Sequence, residues 1–254
     1  CDLIEPEGAE AEYSERLVRL SRLPCAYEPP APPAVVPRAA LRLPPEGVLY
    51  GCPQTLFKIH PDFDDALARI AEGDPTGHIV MIGGHTSEWN DVLKARWTAS
   101  HPGLAERVTF LPKLNHAGFM AHLAHIDVLL DPLHFGSGNT LYEGLALGKP
   151  IVTWPGRFAR GRIVAGAYAQ MGVEHPPVAA TPGDYAKVAL ALGRDPDARA
   201  RLTTELAAKA RDHLFDDQGA VREFGAFLSA AVTAAANGER LPSGWKPAPA
   251  ETRS

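Results

Sequence analysis

Cysteine is scarce in this chain and badly placed for cross-linking. Cys1, Cys25 and Cys52 are odd in number, far apart and without a C-x-x-C pairing. That excludes a disulfide framework and a cysteine-based zinc site, and makes a reducing, cytoplasmic setting the expectation. Positive charge is also short, with 25 Lys and Arg against 30 Asp and Glu, a net charge of −5 and a pI of about 6.1. No global basic field exists to hold nucleic acid or an anionic membrane, so any anion has to be bound by a local cluster. Apolar runs stay well below the roughly 20 residues of a membrane helix. The start carries neither an initiator Met nor a signal-peptide pattern, so it reads as an interior cut of a longer protein. What is present, 45% hydrophobic and 22% charged residues, is the make-up of a globular chain with a useful core.

Residues 1–45 combine a short helical pattern (Tyr13, Leu17, Val18, Leu20, Leu23) with the proline-dense Pro29-Pro30-Ala31-Pro32-Pro33. Proline at that density neither continues a helix nor supplies strand donors, so the segment reads as the tail of a preceding lobe and a linker. From 46 to 237, short apolar runs alternate with longer amphipathic ones, the signature of parallel βα units. Strands are predicted at 48–50, 79–82, 108–111, 128–130 and 151–154, each followed by a helix. Asp62 is expected to cap the first helix, Ser87 the second, and Asn139 or Thr140 to start the fourth, which Gly148 closes. The result is a Rossmann-like, doubly wound parallel α/β sheet whose ligands lie beyond the carboxyl ends of the strands. Three helices are predicted after it, at 184–192, 196–214 and 218–236, and residues 238–254 read as disordered.

The densest chemical signal runs from Asp131 to Pro150 (DPLHFGSGNTLYEGLALGKP). A strand ends, glycines let backbone approach a ligand, and a helix starts at Asn139-Thr140, where free N–H groups and the positive end of the helix dipole favour an anion. Glu143, one turn on, is placed to accept hydrogen bonds from ribose hydroxyls. Better-known motifs fail on spacing. Gly136 to Leu141 has Leu where the third glycine of a dinucleotide fingerprint belongs, and it follows the fourth strand rather than the first. Gly144 to Lys149 is one residue short of a phosphate loop, with Pro150 in place of Ser or Thr. Ser137 is not in a G-x-S-x-G elbow.

A second signal, Cys52-Pro53-Gln54-Thr55-Leu56-Phe57-Lys58, follows the first strand and so reaches the same sheet edge. Lys58 there offsets charge building on a phosphate leaving group. A third, Arg157, Arg160 and Arg162 after the fifth strand, calls either for a phosphate or for an acidic neighbour. Asp62-Phe63-Asp64 matches a metal-binding D-x-D but reads better as a helix start, and His122 and His125 at i, i+3 lack a third ligand nearby in sequence. No metal and no cofactor are expected.

Taken together, these blocks resemble the carboxyl-terminal catalytic half of the protein O-linked N-acetylglucosamine transferase family, whose bacterial forms often follow tetratricopeptide repeats. The matching stretches are Gln54 to Ile59 with Pro61-Asp62-Phe63-Asp64, Arg107 to Pro112, Asp127 to Pro132, Gly138-Asn139-Thr140 with Glu143, and Val152 to Gly156 with Arg160-Gly161-Arg162. They keep order and spacing over about residues 13–230. The resemblance implies the carboxyl-terminal lobe of a GT-B type, metal-independent, inverting glycosyltransferase that moves N-acetylglucosamine from UDP to Ser or Thr of proteins, the alternatives being a glycosyltransferase of the same fold acting on a glycan or small molecule and a non-catalytic nucleotide-binding module. It implies Lys58 on the diphosphate as the catalytic lysine, Gln54 or Thr55 on the nucleotide sugar, and Asn139 and Thr140 on the diphosphate. It also implies Glu143 on the ribose and Arg162 as a further cation. Animal members carry Lys, His and Arg in the uracil-contacting segment, where this chain offers His116, Phe119 and His122, and a His at the position of Gly138. In the family the amino-terminal lobe and the acceptor groove come earlier in the chain, so the donor site is expected to be one wall of a cleft.

Overall fold

The structure is a computed structural model that describes residues 1–242 and 244–247. Five parallel strands form one sheet: β1 (Leu49–Cys52), β2 (His78–Ile82), β3 (Val108–Leu111), β4 (Val128–Leu130) and β5 (Ile151–Val152), in the order β3-β2-β1-β4-β5. All five predicted strands are present, and the Rossmann-like reading holds.

The strands alternate between two cores. On one face Tyr50, Ile79, Met81, Val128, Leu130 and Val152 meet α1 (Pro61–Gly73), α2 (Ser87–Ser100) and α7 (Tyr185–Arg194). On the other Leu49, Val80, Leu129 and Ile151 meet α4 (His116–His125), α5 (Asn139–Ala146), α6 (Ile163–Met171) and α8 (Pro196–His213). Successive residues point to opposite faces, and both faces are covered, which is why the strands are apolar throughout rather than alternating. A one-turn α3 (Leu104–Arg107) leads into β3, and α9 (Gln218–Ala236) ends the helical series. Gly148 closes α5 at φ +66, and a Cβ there would lie 2.4 Å from the Thr203 carbonyl oxygen of α8, so glycine is needed on both counts.

Several local expectations are corrected. His60, not Asp62, caps α1: its Nδ1 accepts from the Asp62 amide at 3.2 Å, and Pro61 occupies the first helical position. Ser87 lies inside α2, whose preceding residue Thr86 makes no side-chain cap. The pattern from Tyr13 to Leu23 is not a helix. Its donors go elsewhere, Ser21 N–H to Glu223 (2.9 Å) and Leu23 N–H to Gln170 (2.8 Å), while Leu20 and Leu23 are buried. Residues 1–45 pack along the sheet's second face, where Tyr27 stacks on Tyr142 with ring centroids 4.6 Å apart. Of the stretch read as disordered, Trp245 packs near Phe227 and Lys246 bonds Asp2 at 2.6 Å, while Ser243 and residues 248–254 lie outside the described residues. Among the described residues no helix is long and apolar enough to cross a membrane.

Candidate nucleotide-binding site

In an open parallel sheet the crevice for a ligand opens where the strand order reverses, beyond the carboxyl ends of the strands. Here that point lies between β1 and β4, the two strands that carry the strongest sequence signals. After β1 a single 3-10 turn, Leu56–Lys58, brings Lys58 back over the sheet edge. Its Nζ donates to Gln54 Oε1 and to the Gly136 carbonyl, both at 2.9 Å, and sits 4.4 Å from the centre of the Phe135 ring. Gln54, buried, donates in turn to Ser137 Oγ at 3.0 Å. The β1 and β4 loops are thus stitched together by residues that sequence placed 78 or more positions apart.

Beneath this lies Asp131, buried at the end of β4. Its carboxylate accepts from the Ser137 amide at 2.6 Å and from Thr153 Oγ1 at 2.8 Å, tying the β4 loop to the end of β5. Burial pushes the Asp131 carboxyl up, and the hydrogen bonds from Thr153 and Ser137 and the charge of Lys58 pull it back. Burial lowers Lys58 from the ordinary lysine value, and Asp131 opposes that shift. Gly136 has to be glycine, since a Cβ there would lie 2.7 Å from Asp131 Oδ2.

The α5 start is open. Gly138 offers no side chain to cap it, and a Cβ at Gly138 would meet nothing within 4 Å. Asn139 is exposed and Thr140 half-buried at the first turn, where the helix presents N–H groups to an incoming anion. Glu143, buried one turn further, bonds His116 Nε2 at 3.0 Å, so the structure joins two of the expected contacts into one group. Phe119 lines a cleft of about 210 Å³ with Gln54, Thr55, Gly83, Gly84, His85 and Lys113. The last four were not singled out in the sequence. They follow β2 and β3, so the rule that ligands gather at carboxyl strand ends points to them.

Two expected contacts are engaged by backbone in the free chain. His122 is buried, with Nδ1 2.7 Å from the Gly118 carbonyl and Nε2 3.0 Å from that of Leu41. Arg162 precedes α6 and turns into its own loop, where Nη1 donates to the Gly156 carbonyl at 3.0 Å. Of the other arginines, Arg157 pairs with Glu12, which answers the choice between phosphate and acidic neighbour in favour of the latter for that residue. The D-x-D pair divides. Asp62 faces solvent, while Asp64 is buried and accepts from Trp97 Nε1 and Arg96 Nη2, both at 2.8 Å, so the two carboxylates do not converge.

The arrangement sets a half-buried cation, an open helix start and a carboxylate one turn beyond around one crevice, a chemistry suited to an anion. A family profile described as "Glycosyl transferases group 1" matches residues 58–194, more than half of the chain. A curated relative, the UDP-glucose:protein N-beta-glucosyltransferase of Actinobacillus pleuropneumoniae serotype 7, is 26% identical over 196 residues, covering 77% of this chain and 31% of that protein. Among solved structures, an O-GlcNAc transferase mutant from Thermobaculum terrenum superposes with a TM-score of 0.75 at 30% identity, over 91% of this chain and 43% of that one. Anabaena HepE, solved in complex with UDP and glucose, shares the fold at a TM-score of 0.56 and 19% identity, over 76% and 51%. The chain therefore spans about a third of the curated relative and under half of the first solved one.

Proposed function

The chain belongs to the group 1 glycosyl transferases, and from that premise we propose that it is the donor-binding half of an enzyme that transfers a hexose from UDP to a protein side chain. The observation that carries the reading is the placement of Lys58 across the β1/β4 switch point from the open start of α5. A diphosphate bridging the two would receive a full positive charge and the helix N–H groups together. Glu143 then takes the ribose, and the cleft at Phe119 and Lys113 takes the base. Support for a protein acceptor comes from the named activity of the curated relative, and support for N-acetylglucosamine as the sugar from the solved O-GlcNAc transferase. The full reading is inverting transfer of N-acetylglucosamine from UDP to Ser or Thr. Glucose is the rival sugar, because the curated relative uses UDP-glucose.

The costly event in such a reaction is departure of UDP. Interactions that strengthen as its charge develops lower the barrier, and Lys58 and the α5 start are fixed where that charge appears. Catalysis in this reading needs no metal on the diphosphate, in keeping with the divergence of Asp62 and Asp64. The solved O-GlcNAc transferase is more than twice the length this chain covers, and in this reading the acceptor groove lies in that further portion, so the 254 residues alone are expected to bind nucleotide and transfer little. Calorimetric titration with UDP, ADP and GDP, each with and without magnesium, tests the reading. Tightest binding of UDP, indifferent to magnesium, is the expected result. Equal affinity for all three, or binding that requires magnesium, would refute it.

A further inference from the structure

Beside the donor site, two histidines and a carboxylate meet across the same pair of loops. His60 and Asp62 come from the turn into α1, and His134 from the β4 loop, one residue before Phe135. One ligating atom from each lies within 4.8 Å of the other two. The Asp62 carboxylate stands between the rings, Oδ2 2.8 Å from His134 Nε2 and Oδ1 3.5 Å from His60 Nδ1. The imidazoles meet edge to face at 5.0 Å, and the far side of His134 is supported by Trp154 at 5.9 Å.

His134 Nε2 donates to the carboxylate. His60 Nδ1 accepts from the Asp62 amide, so its 3.5 Å approach to the carboxylate is not itself a hydrogen bond. A cation among the three side chains takes the place of the His134 proton, and ligation through His60 Nδ1 exchanges the α1 cap bond for a bond to the ion.

We propose that His60, Asp62 and His134 form a site for a divalent transition-metal ion of the zinc class. Two imidazole nitrogens and one carboxylate oxygen, with the remaining position left to water, suit Zn²⁺, Co²⁺ or Ni²⁺, whereas Mg²⁺ prefers an all-oxygen shell. All three side chains are partly exposed, so an ion reaches them without unfolding. The ion clips the turn after Lys58 to the loop before Gly136 and takes no part in holding the diphosphate. The inference does not depend on the proposed function.

The test is titration of the tag-free 254-residue chain with Co²⁺, read by its visible d–d absorption, followed by displacement with Zn²⁺. One equivalent of Co²⁺ is expected, with the bands of a low-coordinate nitrogen and oxygen site. His134→Ala and Asp62→Asn should each weaken binding at least about tenfold, while His175→Ala, at an exposed histidine outside the cluster, should leave it unchanged. His134 and Asp62 are partly exposed, and a thermal melt of each variant confirms that it is folded. Absence of one-equivalent binding, or equal binding by His134→Ala and the parent chain, would overturn the proposal. Loss of UDP binding with metal binding intact would count against the donor-site reading alone.

Discussion

Replacing Lys58 by methionine removes the charge at the switch point while keeping most of the aliphatic stem over Phe135. In the free chain the ammonium makes two hydrogen bonds, to Gln54 Oε1 and the Gly136 carbonyl. A diphosphate has to draw it away from at least part of that engagement. A charge-assisted bond contributes about 1.5–3 kcal/mol, and surrendering neutral partners takes back about 1 kcal/mol. The net, about 1.5 kcal/mol, corresponds to roughly tenfold in the UDP dissociation constant. In the proposed transfer reaction the loss should be larger, about 10²- to 10³-fold in kcat, because charge on the leaving group peaks in the transition state. Lys58 is half-buried but Gln54 and Gly136 are buried, so the variant should stay folded while losing about 1–3 kcal/mol of stability for acceptors left unpaired. Calorimetry with UDP, a urea melt and single-turnover transfer read the three quantities. UDP affinity within twofold of the parent, in a folded Lys58→Met variant, would remove Lys58 from the site.

Lys58 also gives a pH dependence. Its folded-state value is lowered by burial, so nucleotide affinity should fall with rising pH at a lower pH than an ordinary lysine would dictate, and Lys58→Met should abolish that step. In the same window the unfolded chain binds more protons than the folded one, so ligand-free stability contributed by this group rises with pH, which urea melts at several pH values can read. Asp131→Ala strands the Ser137 amide and the Thr153 hydroxyl in a buried space, at about 1–3 kcal/mol for each unpaired group, and should be visible as a lowered urea midpoint with an unchanged slope. Gly136→Ala forces a methyl group against the same carboxylate and should destabilise the chain by about 1–3 kcal/mol. Glu143→Ala should cost about tenfold or more in UDP affinity and erase any preference for UDP over its 2′-deoxy analogue, measured by competition.

The fold was largely legible because the strands are buried on both faces: apolar runs such as Val108–Leu111 and Val128–Leu130 stand out against the helices between them. Helix entry was harder. Asp62 has the chemistry of a cap, yet Pro61 fixes the first helical position and hands the role to His60. The pattern at Tyr13 to Leu23 has helical spacing, but side chains of α6 and α9 claim its amides, a tertiary contact no local window contains. Within the site, Lys58 and the α5 start were readable because glycine, strand end and helix start coincide in sequence. The engagement of His122 was not readable, because its partner is the carbonyl of Leu41, 81 residues away. The approach of His134 to Asp62 was hidden for the same reason: one lies in the loop after β4 and the other in the first turn of the helix after β1, and only the strand order makes them neighbours.

Asp131 gives the site a floor that does not wait for a ligand. Its two oxygens fix the loop from below at Ser137 and the next strand at Thr153, and the Tyr185 hydroxyl adds bonds to the Asp131 and Val152 carbonyls at 2.9 and 2.8 Å. A wall braced in this way meets its ligand already shaped, so little ordering entropy is left to lose on binding. The amide of Ser137 should then resist hydrogen exchange as strongly in the empty chain as in the loaded one, while the first-turn amides of Asn139 and Thr140 slow only when an anion arrives. Motion that accompanies nucleotide binding is then expected in the Lys58 side chain, which has to leave Gln54 and the Gly136 carbonyl, and at the exposed rim of Phe57 and Phe135.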